Sequence, residues 1–182
     1  FGIKATAYTF DDVTYGNGFF ITVGSKLTLL TSKDGISWIS SSETIRKKGW
    51  SVGGHLYRIN YGNGFFVTVA SKGEIFSSKD GKKWKLSSCC DRRDLFGVTF
   101  GNPYFFTVGE DGFVGTIQKS KIKKQYWNSH YVYRIINRVC GAGPDLRTDI
   151  KHLYDVAYGY GAFVMIGEKV FSINKCGEHE FI

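Results

Sequence analysis

Tyr15-Gly16-Asn17-Gly18-Phe19-Phe20 recurs letter for letter at Tyr61–Phe66. Two looser copies follow, Phe100-Gly101-Asn102-Pro103-Tyr104-Phe105 and Tyr158-Gly159-Tyr160-Gly161-Ala162-Phe163. Their first glycines, Gly16, Gly62, Gly101 and Gly159, are spaced by 46, 39 and 58 residues. A period of about 40–50 residues marks one small β unit repeated along the chain.

The second copy defines the unit. His55–Tyr61 alternates and reads as a first strand. Gly62-Asn63-Gly64 supplies a tight turn, because Asn and Gly accept positive φ. Phe65–Ala70 is a second strand, Glu74–Ser78 a third and Trp84–Leu86 a fourth. The first copy gives Asp12–Tyr15, Phe19–Val23, Leu27–Thr31 and Trp38–Ser40 in the same order. The third gives Leu95–Phe100, Tyr104–Val108, Phe113–Gln118 and Lys124–Trp127. The fourth gives His152–Tyr158, Phe163–Ile166, Val170–Ile173 and a short end at Glu180–Ile182. A four-stranded antiparallel sheet has two apolar faces to cover, and radial stacking covers both. The expected fold is all-β: a single propeller domain over 1–182, with four blades near 10–41, 55–88, 94–128 and 151–182 and a long insertion at 129–150. The aromatic at Tyr15, Tyr61, Phe100 and Tyr158 then wedges between blades.

Bulk properties agree with that unit. The chain has 182 residues, of which 42% are hydrophobic and 16% aromatic, enough for a packed core. It holds 23 glycines and two prolines, and no apolar run is long enough to span a membrane as a helix. The first residue is Phe1, which fits a processed chain or an excerpt of a longer one with further repeats. Phe1–Thr9 reads as an outer strand of a neighbouring blade or as a strand that closes the ring. Cys89, Cys90, Cys140 and Cys176 lack the spacing of a zinc site, and free thiols or disulfides both remain open. The formal charge of +8 favours an anionic partner or an ordinary lysine-rich surface.

Two segments add detail: Ser32-Lys33-Asp34-Gly35-Ile36-Ser37-Trp38 and Ser78-Lys79-Asp80-Gly81-Lys82-Lys83-Trp84. Both read Ser-x-Asp-Gly-x-x-Trp and resemble the Asp-box (BNR) repeat of sialidase-like β-propellers. The match is one residue short of the family's longer form between Asp and Gly. The third repeat lacks the box, and the fourth keeps only Asn174-Lys175-Cys176-Gly177. The resemblance implies that Ser32, Asp34, Gly35, Trp38, Ser78, Asp80, Gly81 and Trp84 hold hairpins on the blade periphery, away from the ligand face. The residue types suit a hairpin brace, since Ser and Asp bond within the turn and Gly takes the positive-φ position.

Catalysis is not the expected activity. Sialidase-like enzymes need an arginine trio, and the arginines here recur at no common repeat position. Asp12, Asp94 and Asp155 are the carboxylates at strand starts that a glycosidase would need paired. No nucleophile-elbow, HExxH or P-loop motif occurs, and no cofactor or metal is expected.

Propellers bind at the end where the chain enters each inner strand. Two columns there vary while the core columns repeat: Thr9, His55, Asp94, His152, and Asp12, Arg58, Gly97, Asp155. His55, Arg58, Asp94, His152 and Asp155 are therefore candidate ligand-binding residues, against ordinary solvated turns. The connections 41–54 and 129–150 interleave basic and aromatic residues and add Trp50, Tyr133, Arg134 and Arg138. Lys119–Lys124 reads as a solvated rim edge. The principal expectation is a non-enzymatic module on a virion, phage tail or cell surface that recognises an anionic glycan or surface polymer. The alternative is an intracellular scaffold or assembly propeller that docks a protein or ribonucleoprotein partner. Nucleic acid is a weaker candidate partner.

Overall fold

The computed structural model describes residues 8–46, 54–88, 92–118, 128–131, 151–168 and 170–174. The first sheet is a meander of β1 (Phe10–Gly16), β2 (Phe19–Gly24), β3 (Thr28–Ser32) and β4 (Ile39–Ser40). One helical turn, α1 (Glu43–Arg46), follows it. The second sheet comprises β5 (Leu56–Gly62), β6 (Phe65–Ala70), β7 (Glu74–Ser78) and β8 (Lys85–Ser88). The third comprises β9 (Leu95–Gly101), β10 (Tyr104–Gly109), β11 (Phe113–Gln118) and β12 (Asn128–Tyr131). β13 (Leu153–Gly159), β14 (Ala162–Gly167) and β15 (Val170–Asn174) are the described strands of the fourth.

The repeated hexapeptide is the first hairpin of each sheet. Asn17 and Gly18 have φ of 47° and 78°, and Asn63 and Gly64 have 51° and 80°. Two consecutive positive-φ residues match the twist of the flanking strands, so the strands leave the turn already paired. A cis Asn102-Pro103 bond occupies this place in the third copy, and Tyr160-Gly161 in the fourth. The two aromatics that flank the turn pair across the hairpin every time. Ring centroids lie 4.7 Å apart for Tyr15–Phe20 and Tyr61–Phe66, 4.9 Å for Phe100–Phe105 and 4.6 Å for Tyr158–Phe163.

The sheets stack face to face, with β1 beside β5, β5 beside β9, and β9 beside β13. Alternation along a strand sends neighbouring side chains to opposite faces. Phe66 and Phe76 therefore pack on Ile21, Val23 and Leu29 of the first sheet. Val67, Val69 and Ile75 pack instead on Val98 and Phe105 of the third. Phe106, Val108 and Val114 meet Val156, Phe163 and Met165 of the fourth. All six residues of β6 are buried, the burial pattern of a strand covered on both sides. Each such aliphatic or aromatic side chain contributes about 1.5–3 kcal/mol of apolar burial.

Two sheet faces lack that cover. Val13 and Tyr15 on the outer side of the first sheet are exposed, whereas Ile59, Val98 and Val156, the counterparts of Val13, are buried. On the far side of the fourth sheet Ile166 is 47% exposed, although its counterparts Val23, Val69 and Val108 are at 0%. The described blades thus form an arc with an open face at each end.

Some strand limits differ from the sequence reading. Trp38 and Trp84 precede β4 and β8 rather than opening them. The strand paired with β11 is Asn128–Tyr131, so 129–131 belong to the sheet and not to the insertion. An edge strand is held by backbone bonds to one neighbour, and its polar sequence carries no apolar signature. Lys124–Trp127, Glu180–Ile182, Phe1–Ala7, Lys119–Lys123 and all four cysteines lie outside the described residues.

Candidate functional site

Every inner strand starts at the same end of its sheet, opposite the hexapeptide turns. Three of the starts are pinned alike. The Ser25 and Ser71 amides donate to the Thr9 and His55 carbonyls at 3.0 Å, and their Oγ atoms accept the Thr9 and His55 amides at 2.9 and 3.1 Å. Glu110 does the same work for Asp94, donating its N–H to Asp94 O and accepting Asp94 N–H at 2.9 Å.

Just inside each start the pairing register slips by one. The slips fall between Phe10 and Asp12, Leu56 and Arg58, Leu95 and Gly97, and Leu153 and Asp155. The skipped residues are Asp11, Tyr57, Phe96 and Tyr154. A bulge leaves its extra residue unpaired and re-aims the side chain.

Three of these bulges carry an aromatic, and the rings form a row across three sheets. Tyr57 and Phe96 meet edge to face at 5.2 Å, and Phe96 and Tyr154 lie 6.1 Å apart. His55 stacks on Tyr57 at 4.6 Å, and His152 lies 6.3 Å from Phe96 and 6.1 Å from Tyr154. Tyr154 is exposed, and Tyr57, Phe96, His55 and His152 are half-buried. The His152 Nδ1 atom is buried with no hydrogen-bond partner among the described residues.

Charged groups surround the row. Asp11 Oδ2 lies 2.8 Å from His55 Nε2. The Tyr57 hydroxyl donates to Asp94 Oδ2 at 2.7 Å, and Asp94 Oδ1 accepts the Lys72 amide at 2.8 Å. Burial and the bonded Asp94 carboxylate push the Tyr57 phenol well above its usual pKa. Asp12 Oδ1 accepts the Val13 amide and Oδ2 the Ile59 amide of the next blade, both at 2.8 Å. Burial raises the Asp12 pKa, the Asp155 charge adds to the rise, and the two amides and Arg58 oppose it.

Arg58 Nη1 donates to Tyr57 O at 3.0 Å and Asp11 O at 3.5 Å, and its Nε lies 3.7 Å from Asp155 Oδ2. Gly97 lets β9 pack close on β13, because a Cβ there would fall 2.9 Å from the Asp155 Cα.

His55, Arg58, Asp94, His152 and Asp155 all lie at the strand-start end. Trp50, Tyr133, Arg134 and Arg138 lie outside the described residues. Asp11, Tyr57, Phe96 and Tyr154 escaped the sequence reading. Their signal was an aromatic in three of four copies, one residue before the Asp12 column. Asp12 and Asp94 are each tied to backbone amides, and no group of three His, Cys, Asp or Glu among the described residues could hold a metal.

The Ser-x-Asp-Gly-x-x-Trp turns occupy the other end. Ser78 Oγ donates to Asp80 Oδ1 at 3.1 Å and accepts Gly81 N–H at 2.9 Å. Asp80 Oδ1 also accepts the Lys82 and Lys83 amides at 2.9 and 2.8 Å, and Trp84 Nε1 donates to Gly81 O at 3.1 Å. Ser32, Asp34, Gly35 and Trp38 repeat the pattern. Asn17 Nδ2 joins the first hairpin to the second box through Lys79 O at 3.1 Å.

No protein-family model matches the chain, and no curated protein matches it by sequence. Solved structures do. YCF48 from Cyanidioschyzon merolae superposes with a TM-score of 0.69 at 12% identity, over 97% of this chain and 57% of that one. The RRP9 WD40 repeats give 0.68 at 8% identity, over 99% and 52%. The chain carries a β-propeller fold. A structure of YCF48 bound to D1 peptide gives a TM-score of 0.62 at 18% identity, over 100% of this chain and 55% of that one. The chain spans about half the length of these propellers. No helix among the described residues is long and apolar enough to cross a membrane.

Proposed function

We propose that the chain is a non-enzymatic docking propeller of the scaffold or assembly type, holding a protein partner on its strand-start face. The carrying observation is the ring row Tyr57–Phe96–Tyr154, raised onto that face by a bulge at the same position in successive blades. Amphipathic rings on rigid strands supply contact area at small entropic cost. The fold neighbours include a propeller bound to a peptide, which supports this reading by analogy. The anionic-polymer reading draws on the connections 41–54 and 129–150, and the strand-start face lends it no basic patch. We also read the two Ser-x-Asp-Gly-x-x-Trp turns as Asp-box-type braces, on their bonding pattern and their place at the far end.

A photo-crosslinking residue at position 154, compared with one at position 36 in the far-end turn, tests the assignment. One protein partner captured at 154 and not at 36, and lost with Phe96→Ala, is the expected outcome. Equal capture at both positions would sink it.

A further inference from the structure

The strand starts are acidic in a basic chain. Residues 9–12, 55–58, 94–97 and 152–155 hold Asp11, Asp12, Asp94 and Asp155 against Arg58, a formal charge of −3 in a chain of +8, and in the turns that pin them Lys26 and Lys72 are balanced by Glu110 and Asp111. These carboxylates flank electron-rich ring faces. Asp12 and Asp155 occupy the same position in their blades, but they are not satisfied alike. Asp12 fills its second oxygen with the Ile59 amide of the following blade at 2.8 Å. Asp155 Oδ1 accepts the Val156 amide at 2.9 Å. Among the described residues its Oδ2 has only the 3.7 Å approach of Arg58. A half-exposed carboxylate with a spare acceptor therefore lies one residue from the exposed ring of Tyr154.

The chain also shows what this place accommodates. Its own Arg58 guanidinium lies across the bulge, bonded to the Tyr57 carbonyl at 3.0 Å, and faces Asp155 Oδ2 at 3.7 Å. Carbonyls, a carboxylate and ring faces together form a cation-accepting surface.

We propose that the strand-start face binds a protein segment through lysine or arginine side chains, which lie over Tyr154 and Phe96 and pair with Asp155. This inference rests on the docking reading above and names the chemistry of its partner. A basic segment is favoured over an acidic one because Asp11, Asp12, Asp94 and Asp155 would repel the latter.

Fluorescence anisotropy of the whole chain with a labelled Gly-Lys-Gly-Arg-Gly-Lys-Gly-Arg peptide tests it. Two control peptides replace Lys and Arg by acetyl-lysine and citrulline, or by Glu. The basic peptide should bind, weaken with added salt, and lose about 2–30-fold in affinity with Tyr154→Ala or Asp155→Asn. Both variants alter exposed or half-exposed groups, and thermal melts should match the parent. The neutral peptide should bind at least about tenfold more weakly, and the Glu peptide not at all. Equal binding of basic and neutral peptides, or basic-peptide affinity unchanged in both variants, would overturn the inference. So would inorganic polyphosphate binding that Tyr154→Ala abolishes. Protein crosslinking at position 154 without basic-peptide binding overturns this inference alone, whereas loss of both overturns the docking reading as well.

Discussion

The ring of Tyr61 lies against Gly16, so close that a methyl group at Gly16 would fall 2.1 Å from the ring. The contact recurs one blade on, where Phe100 covers Gly62, and again where Tyr158 and Phe163 crowd Gly101. The repeated Tyr-Gly pair is therefore a joint between blades. Its aromatic reaches back to the glycine of the previous copy, and its glycine receives the aromatic of the next. At Gly159 no atom of the described residues lies within 4 Å of where a methyl group would sit, and Tyr15 at the other end is exposed, so among the described blades the series of joints is open at both ends.

The joint makes one glycine costly to change and its counterpart cheap. Gly62→Ala drives a methyl into Phe100 and should cost about 1–3 kcal/mol, a melting shift of roughly 3–10 °C at this chain length. Gly159→Ala meets open space and should stay within about 0.5 kcal/mol. Thermal or urea unfolding of the two variants checks this. Equal effects would mean that the aromatic–glycine contact does not hold the blades together.

The second box turn should mark the acid limb of stability. Asp80→Ala removes the acceptor of the Lys82 and Lys83 amides and should cost about 1–2 kcal/mol near neutral pH. Burial pushes the Asp80 pKa up, but the Lys83 and Lys82 amides and the Ser78 hydroxyl outweigh it, leaving the group below its ordinary 3.8. A carboxyl depressed by folding adds stability above its unfolded pKa, and that stability is lost as pH falls through the folded value. The gap between parent and variant should hold from pH 7 to pH 5 and narrow below pH 4. Asp34 is shifted the same way by the Ser37 and Ile36 amides and the Ser32 hydroxyl. A gap that widens in acid would contradict the bonding described.

The open end of the arc separates two valine-type positions that share one register. Val69 is fully buried between blades, and Ile166 occupies the same place on the uncovered face. Val69→Lys buries an unpaired charge and should cost more than about 4 kcal/mol or prevent folding. Ile166→Lys should change stability by less than about 1 kcal/mol. It should also reduce binding of a hydrophobic dye, because it breaks an exposed apolar face. A loss of folding in both variants would mean that the far face is covered.

Strands and turns were readable because each is a local matter. The two-residue positive-φ turn needs Asn-Gly, and the strands beside it need apolar residues at period two, so the hexapeptide announces both. The bulges were not readable. A register slip breaks the alternation at the point where the reading depends on it, and Tyr57, Phe96 and Tyr154 then look like ordinary strand residues. β12 is not legible for the opposite reason: Asn128–Tyr131 has no apolar pattern, and its pairing with β11 alone makes it a strand.

The chain alone determined the repeat unit, its hairpins and the polarity of its turns, since these depend on residues a few positions apart. The tertiary structure decided which varying residues share a site. Arg58 and Asp155 stand in different repeats with a whole blade between them. They come within 3.7 Å because sheets stacked around a common axis bring every inner strand start to one place, and because Gly97 on the intervening strand lets β9 pack close on the Asp155 backbone.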